Sequence, residues 1–341
     1  MLDVRENVDI RKHCTLQVGG QFRYFTEIDT VEKFSDLYTF AKEKFLPVFI
    51  IGDGSNIVFP DGVMEVLAAK IEIKGFEIIN ETNEYADLKI GAGENWDNIV
   101  RRAVALGLSG VEAMSAIPGT AGATPVQNVG AYGQEIKDTL LSVEVFDIKA
   151  GSIKVLTNEE CKFSYRNSIF KGEARGKYVI TSIKLRLLKD KTPMIPNYPG
   201  VKKYFLENNI NSPTLLQIRE AIIEIRKNKL PDPKVIPSVG SFFKNTIVSK
   251  DKAEELKNKH PTLVVFPVND TETKVPSGFL IEAAGLKGKS FGTISSYTGN
   301  AMVLVNNGGA TRKDVENTRD EIKKIILEKF GITLETEPEF V

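Results

Sequence analysis

The sequence predicts a chain of two or three domains that mixes helices with strands. Three observations carry this. At 341 residues the chain exceeds what one hydrophobic core usually serves. Short β-like runs recur over residues 66–91 and 140–188. A segment with three prolines and one glycine, residues 189–200, then separates these runs from a later region of alternating helical and extended patterns.

The elements follow in order. Residues 14–28, CTLQVGGQFRYFTEI, read as a strand broken by Gly19 and Gly20. Val31, Phe34, Tyr38, Ala41 and Phe45 fall at helical spacing, and PVFIIG, 47–52, is a short buried strand. GDGSN, 52–56, follows as a glycine-rich turn. It can be a nucleotide contact or an ordinary turn, because IVFPDGV and not a helix comes next. VLAAKIEI, FEIIN and ADLKIGAG are β-like. Residues 95–108 form an amphipathic helix ended by Gly107, with Trp96 as a core residue. LLSVEVFDI and SIKVLT read as a hairpin around residues 149–151, and KYVITSIKLRLL, 177–188, as the strand that closes this second sheet. Ser212 and Pro213 read as N-cap and first residue of a helix running to about Lys227, with Leu215, Ile218, Ile222 and Ile225 inward. KLPDPKVIP is a second Pro-rich connector, and PSGFLIEAAGLKG is a short helix stopped by glycine. AMVLVNNGGA is a strand and turn. Thr311 with Asp314 caps a helix that buries Val315, Thr318, Ile322, Ile325, Ile326 and Phe330 and ends at Gly331. The tail ITLETEPEF reads as a strand whose alternating Glu335, Glu337 and Glu339 face solvent.

Composition excludes several functions. Lys plus Arg and Asp plus Glu are both 45, so the zero net charge argues against a general nucleic-acid binder. Cys14 and Cys161 are too few for a disulfide framework, which suits a reduced, cytoplasmic protein. The two histidines, His13 and His260, and the absence of CxxC or HxxxH spacing predict no metal site. The N-terminus has no secretory apolar core, and no apolar run approaches the roughly 18 residues of a membrane span. No exposed apolar stripe stands out, so a monomer is expected.

Three stretches carry candidate chemistry. From Ser115 to Gly133 there is no Lys, Arg, Asp or Glu, and small residues with Pro118 and Pro125 fill the segment. Such a loop can bring backbone N–H groups to a ligand and neutralise phosphate without cationic side chains; a tightly packed turn is the alternative. Arg166 lies between Tyr165 and Asn167. It is either a buried guanidinium with a partner or an exposed residue on an edge strand. Ser241, after Gly240 and before two phenylalanines, has no GxSxG elbow around it, so a nucleophile is disfavoured. It can pass a proton, bond a ligand, or be a strand serine.

Taken together, TLQVGG, GDGSNIVF, IPGTAGATPVQNVGAYGQE, CKFSYRNSIFK, KLPDPK, GSFFKN, PSGFLIEAAGLKGKSFG and LETE run from residue 15 to residue 337 in one order. This series resembles the flavin-dependent UDP-N-acetylenolpyruvoylglucosamine reductases of bacterial peptidoglycan synthesis. The resemblance implies an α+β fold with vanillyl-alcohol-oxidase/PCMH-like FAD-binding domains and a C-terminal α+β substrate-binding domain. It implies an N-terminal FAD-binding subdomain over 1–65 joined by the tail 331–341, a second FAD-binding subdomain over 66–210, and a substrate-binding domain over 211–330. Tyr198 marks the longer subtype, which carries a tyrosine loop.

By position, the resemblance assigns Arg166, Ser241 and Glu337 as catalytic. FAD falls to Gly52, Asp53, Gly54, Ser55 and Asn56, and to Ile117, Pro118, Gly119, Thr120, Gly122, Ala123, Gln127, Asn128, Gly130, Ala131 and Tyr132. Tyr198, Lys229, Asn245, Lys287 and Asn300 fall where the family contacts the UDP-sugar. The implied reaction passes a hydride from NADPH through FAD to C3 of UDP-N-acetylglucosamine enolpyruvate. Arg166 and Glu337 then stabilise charge on the carboxylate, and Ser241 protonates C2 to give UDP-N-acetylmuramate. No GxGxxG exists for a separate nicotinamide domain, which fits one pocket used twice. Cys14, Thr246, Pro338 and Asn300 depart from the family pattern of asparagine, proline, a β-branched residue and glutamine. Two other readings compete: an FAD-dependent oxidase or dehydrogenase of the same fold acting on another alcohol or sugar, and a non-catalytic nucleotide-sugar binding protein.

Overall fold

The computed structural model describes residues 2–189, 193 and 195–341, so part of the 189–200 linker lies outside the described residues. Contacts divide the chain into two compact units: residues 1–8, 22–53 and 65–227, and residues 9–21, 54–64 and 228–341. The polypeptide therefore passes from one unit to the other at five places.

Among the described residues the first unit holds two larger sheets and a two-stranded hairpin at 130–135. One runs in the order Arg5–Asp9, Gln21–Ile28, Val63–Ile71, Val48–Ile51, with the last two strands parallel. The other is a five-stranded antiparallel sheet in the order Ser152–Thr157, Leu140–Asp147, Tyr178–Leu188, Tyr85–Gly91, Phe76–Glu81. Helix α1, Lys33–Glu43, and helix α2, Trp96–Ala105, pack Phe34, Leu37, Trp96, Ile99 and Val100 into the core between strand residues such as Leu67, Leu88 and Val143. Asn95 caps α2, its Oδ1 accepting the Asn98 N–H at 3.1 Å. Helix α3, Pro199–Glu207, and helix α4, Leu215–Lys229, build a smaller core from Val201, Phe205, Ile218, Ala221, Ile222 and Ile225.

The second unit carries helix α5, Lys250–Lys259, helix α6, Ser277–Ala283, and helix α7, Arg312–Phe330. They accompany two three-stranded antiparallel sheets: Ser238–Ser241, Val303–Asn306, Ile294–Ser296, and Thr246–Ser249, Glu272–Val275, Phe266–Pro267. Leu16, Val18 and Val58 join residues 239–334 in one core. Helix α7 has the expected Thr311/Asp314 capping box and a left-handed Gly331 at its end.

Five expectations need correction. No strand covers 14–20; pairing begins at Gln21, after a short 3-10 turn at Ile10–His13. Phe45 is 94% exposed and not on the buried face of α1. It is the left-handed residue of a Schellman end, with Leu46 N–H donating to Ala41 O at 2.9 Å and Phe45 N–H to Lys42 O at 3.2 Å, and φ of 56° takes it off the helical face. Tyr178–Leu188 does not close its sheet but sits at the centre, pairing on both sides. Thr214, and not Ser212 with Pro213, caps α4: its Oγ1 accepts the Gln217 N–H, and Gln217 Oε1 accepts the Thr214 N–H. In the tail only Glu339–Phe340 forms a strand, parallel to Ile57–Val58, and of the three carboxylates only Glu335 is fully on the solvent side. Pro338 supplies no donor to a ladder there.

Candidate active site

In the first unit the uncharged loop after α2 runs back along the segment before it. Trp96 N–H donates to Gly119 O at 3.0 Å, Ala121 N–H to Glu94 O and Gly122 N–H to Ala92 O, both at 2.8 Å. The Trp96 indole donates to Met114 O at 3.1 Å, so the tryptophan is a core residue that also pins the loop's start. Gly122 is required: a Cβ there would stand 2.6 Å from Ala92 Cβ. Thr120 lies opposite Asn95 as the pair that exchanges no hydrogen bond across this ladder, so its own N–H points away from residues 94–96.

Two of the predicted cofactor pieces meet here. A Cβ on Gly52, at the end of the strand Val48–Ile51, would lie 2.7 Å from Thr120 Oγ1. Asp53 follows, its carboxylate 3.5 Å from Lys70 Nζ, which also pairs with Glu72 at 2.5 Å. Main chain without side chains, a hydroxyl and an outward amide form a narrow cradle, and these groups fit the phosphate and ribityl oxygens of a flavin nucleotide. Gly54, Ser55 and Asn56 belong to the second unit, where Thr15 N–H donates to Gly54 O and Asn56 Nδ2 donates to Glu337 O at 3.2 Å.

The other half of the loop is fastened by side chains. Asn128 is fully buried; its Nδ2 donates to Glu135 Oε2 at 2.9 Å and Ser164 O at 3.2 Å, and its Oδ1 accepts the Lys137 N–H. Its side chain thus serves the loop. Residues 130–135 form a hairpin, Gly130 opposite Glu135 and Ala131 opposite Gln134, turned by Tyr132 and Gly133 at φ 51° and 91°. Gln134 Nε2 donates to the buried Glu112 carboxylate at 2.9 Å and its Oε1 accepts the Ala113 N–H at 2.8 Å. From this hairpin hangs Arg166: its Nη2 donates to Gly130 O at 2.9 Å. Arg166 is half-buried in a turn closed by reciprocal bonds of Ser164 and Asn167, its guanidinium 5.4 Å from the Tyr165 ring centroid, and is not on an edge strand.

Among the described residues nine non-glycines adopt left-handed backbone, and Ala116, Asn128, Tyr132, Lys162 and Arg166 fall in this one region. Each such residue stores strain, of order 1–3 kcal/mol where the side chain is bulky, and such strain concentrates at functional sites.

Tyr198 stands at the N-cap of α3, its ring 5.0 Å from that of Tyr132 at 82°. Beneath them lies a charged group that sequence reasoning missed. Arg219 of α4, itself buried, clamps Asp97 of α2 at 2.6 and 2.9 Å, and the Ala116 N–H donates to the same carboxylate at 2.6 Å. Burial pushes the Asp97 carboxyl up, but the Arg219 and Ala116 donors outweigh it and hold the carboxyl below its ordinary value. Arg226, two turns further along α4, is half-buried; burial lowers its pKa, while the neighbouring Tyr132 and Asp97 oppose that. Burial raises the Tyr132 phenol.

In the second unit Ser241 ends the strand Ser238–Ser241, just after a left-handed Gly240 at φ 71°. The next residues pair with the tail. Glu337 N–H donates to Phe242 O and Lys244 N–H to Glu335 O, each at 2.9 Å, with Phe243 opposite Thr336. This ladder holds Glu337 beside the strand end that carries Ser241, with Phe242 and Phe243 fully buried beneath. Asn245 Oδ1 accepts the Ser277 N–H at 3.2 Å, and Asn300 Oδ1 accepts the Met302 N–H at 3.0 Å. Backbone donors therefore fix both amides with the oxygen inward. Thr246, at a position of departure, bonds Ser277 Oγ at 3.1 Å. Lys287 pairs with Glu282 at 3.0 Å, and Lys229 is exposed at the end of α4. Cys14 is buried against Gly54, its thiol pushed up by burial. No cluster of metal-ligating side chains occurs among the described residues, and no helix there is long and apolar enough to cross a membrane.

Residues 23–157 match a family model described as an FAD binding domain, and residues 232–341 one described as UDP-N-acetylenolpyruvoylglucosamine reductase, C-terminal domain. The chain is 40% identical over 337 residues to the UDP-N-acetylenolpyruvoylglucosamine reductase of Flavobacterium johnsoniae, covering 98% of this chain and 99% of that one. It is 41% identical to the protein of the same name from Bdellovibrio bacteriovorus, covering 99% of each. Among solved structures, the reductase of that kind from Thermus caldophilus superposes with a TM-score of 0.69 at 24% identity, over 100% of this chain and 99% of that one, and so shares the fold.

Proposed function

The chain belongs to the UDP-N-acetylenolpyruvoylglucosamine reductase family, and from that membership we propose that it reduces UDP-N-acetylglucosamine enolpyruvate to UDP-N-acetylmuramate with NADPH and FAD. The observation that carries the proposal is the ladder between residues 242–244 and 335–337, which holds a serine and a glutamate at neighbouring main-chain positions with no histidine in the site. A serine with no histidine to deprotonate it is a poor nucleophile, and its hydroxyl is left with the role of proton donor.

When bound, FAD would supply hydride transfer from NADPH to the enolpyruvyl C3. Gly52, Gly119, Thr120 and Gly122 would hold the cofactor: Gly52 and Gly122 have no room for a side chain, and Thr120 brings a hydroxyl beside Gly52. Asp53, Gly54, Ser55, Asn56, Ile117, Pro118, Ala123, Gln127, Asn128, Gly130, Ala131 and Tyr132 complete that set in our reading. Arg166, fixed through Gly130, would answer the charge of the substrate carboxylate. Glu337 sets the aim of that charge stabilisation, and Ser241 delivers the proton to C2. Asn245 and Asn300, whose amide oxygens are held by backbone N–H groups, would contact the UDP-sugar together with Tyr198, Lys229 and Lys287. We keep the three-part division at 65/66 and 210/211 as a division of labour, and a cytoplasmic monomer as the working form.

Stopped-flow mixing of the reduced Ser241→Ala enzyme with the enolpyruvyl substrate tests this. Flavin reoxidation should slow by roughly 10²–10⁴-fold while reduction by NADPH keeps its rate. Equal reoxidation rates in variant and parent would refute the role of Ser241.

A further inference from the structure

Between its two ties to Trp96, the uncharged loop makes a turn that those ties do not fix. The Trp96 indole holds Met114 O at 3.1 Å, and the Trp96 N–H holds Gly119 O at 3.0 Å. Between them Ala116 adopts φ 57°, a left-handed backbone that is unfavourable for any residue with a Cβ. Such a turn persists where its surroundings override the strain. Here the override is a carboxylate: Asp97 Oδ1 accepts the Ala116 N–H at 2.6 Å. A hydrogen bond to an ionised acceptor is stronger than one between neutral groups.

That carboxylate is in turn held from another helix. Arg219 of α4, only 6% exposed, donates through Nη1 to the same Oδ1 at 2.6 Å and through Nη2 to Oδ2 at 2.9 Å. Two ordinary explanations fall short. An acid in the first turn of α2 favours the helix dipole, but this needs no arginine from 122 residues away. A buried ion pair is weak evidence of stability, since apolar side chains of like volume commonly do as well. What an apolar pair does not do is accept the Ala116 N–H.

Downstream of the turn the chain is stiff. Pro118 fixes its own φ and disfavours helical backbone at Ile117. The direction set at Ala116 therefore carries to Gly119 and Thr120, and Thr120 Oγ1 is the atom that stands beside Gly52. Gly52, Asp97, Ala116, Thr120 and Arg219 all belong to the first unit.

We propose that Asp97 is a positioning residue for the cofactor: clamped by Arg219, its carboxylate sets the left-handed turn at Ala116 and so aims residues 117–120 at the flavin nucleotide. This rests on the reading of the Gly52 and Thr120 cradle given above.

The test separates position from stability. The full chain is stripped of FAD, melted as apoprotein, and titrated with FAD by flavin fluorescence quenching. Asp97→Leu combined with Arg219→Met makes both ends of the pair apolar, so the apoprotein should keep the melting temperature of the parent. It should nevertheless bind FAD about tenfold more weakly. Adding Ala116→Gly should recover most of that affinity, because glycine takes the left-handed turn without the carboxylate. Arg219→Met alone decides the matter if the pair variant does not fold. The Asp97 side chain is 34% exposed, so water solvates the unclamped carboxylate, and the loss of FAD affinity should be about fivefold, again reversed by Ala116→Gly. Parental affinity in the pair variant and in Arg219→Met, or a loss that Ala116→Gly leaves untouched, would overturn the proposal. If Gly52→Ala also binds FAD as tightly as the parent, the cradle reading falls first, and that outcome is distinct.

Discussion

At Gly52 one methyl group decides whether the proposed cofactor cradle can exist. The ideal Cβ would lie 2.7 Å from Thr120 Oγ1, closer than real side chains approach, and the next nearest atoms also belong to Thr120. Gly52→Ala should therefore push Thr120 out of line and weaken FAD retention by about tenfold or more, a shift of about 1.4 kcal/mol per decade. Thr120→Ala removes the atoms that clash, so the double variant should bind FAD better than Gly52→Ala alone. Titration of apoprotein by flavin fluorescence quenching measures both. Equal affinities for Gly52→Ala and the parent would remove the cradle from this place. The loop we assign to the cofactor was legible because its composition is unusual: nineteen positions without a charge stand out in a chain that is 26% charged. Which of them touch a ligand and which fasten the loop was not legible. Asn128 looks like its neighbours in sequence, and only its bonds to Glu135, Ser164 and Lys137 reveal the second role.

At the scale of elements, periodicity found most helices and failed where a distant partner decides. Helices α2 and α7 were legible because cap and stripe agree locally. The end of α1 was not, since a left-handed Phe45 obeys the helix terminus and not the heptad-like spacing before it. The Asp97–Arg219 pair joins α2 to α4 across 122 residues, which no window of sequence can display. Its pH dependence follows from sign. The Asp97 carboxyl is held below its ordinary value of 3.8, so the unfolded chain binds the proton more readily than the folded one. The pair's contribution is present above about pH 4 and is lost as pH falls through the lower, folded value. Arg219 is almost wholly buried but Asp97 is about one-third exposed, 34%, so solvent screens the pair in part. Asp97→Asn should cost about 2 kcal/mol at pH 7, below the 3–5 kcal/mol of a fully buried pair. It should also flatten the acid limb of stability below pH 4. Denaturant unfolding followed by the emission of Trp96, the adjacent residue and sole tryptophan, reads both. An unchanged acid limb in the variant would mean that another carboxylate governs it.

At the scale of the whole molecule, the chain's course matters more than its order. A family model takes residues 232–341 as one C-terminal domain, yet the compact unit to which they belong also contains residues 9–21 and 54–64. Those segments are not ornaments. Leu16 and Val58 are fully buried and Val18 nearly so, all in the same core as Phe242, Leu304 and Ile326. Asn306 Nδ2 donates to Leu16 O, Ser238 N–H to Thr15 O, and the Arg312 N–H to Asp61. Glu339–Phe340 loses its only strand partner among the described residues if Ile57–Val58 is absent. Removing three buried aliphatic side chains forfeits roughly 1.5–3 kcal/mol each. The orphaned backbone groups add to that, so the sum reaches the whole stability of a typical domain, about 5–15 kcal/mol. A fragment of residues 228–341 should therefore lack a cooperative unfolding transition and near-ultraviolet dichroism, although it includes Ser241 and Glu337. Supplying residues 9–64 as a separate polypeptide should restore some of both signals. A fragment that melts cooperatively alone would show that the tail and the strand of Ser241 form their ladder without the two N-terminal segments.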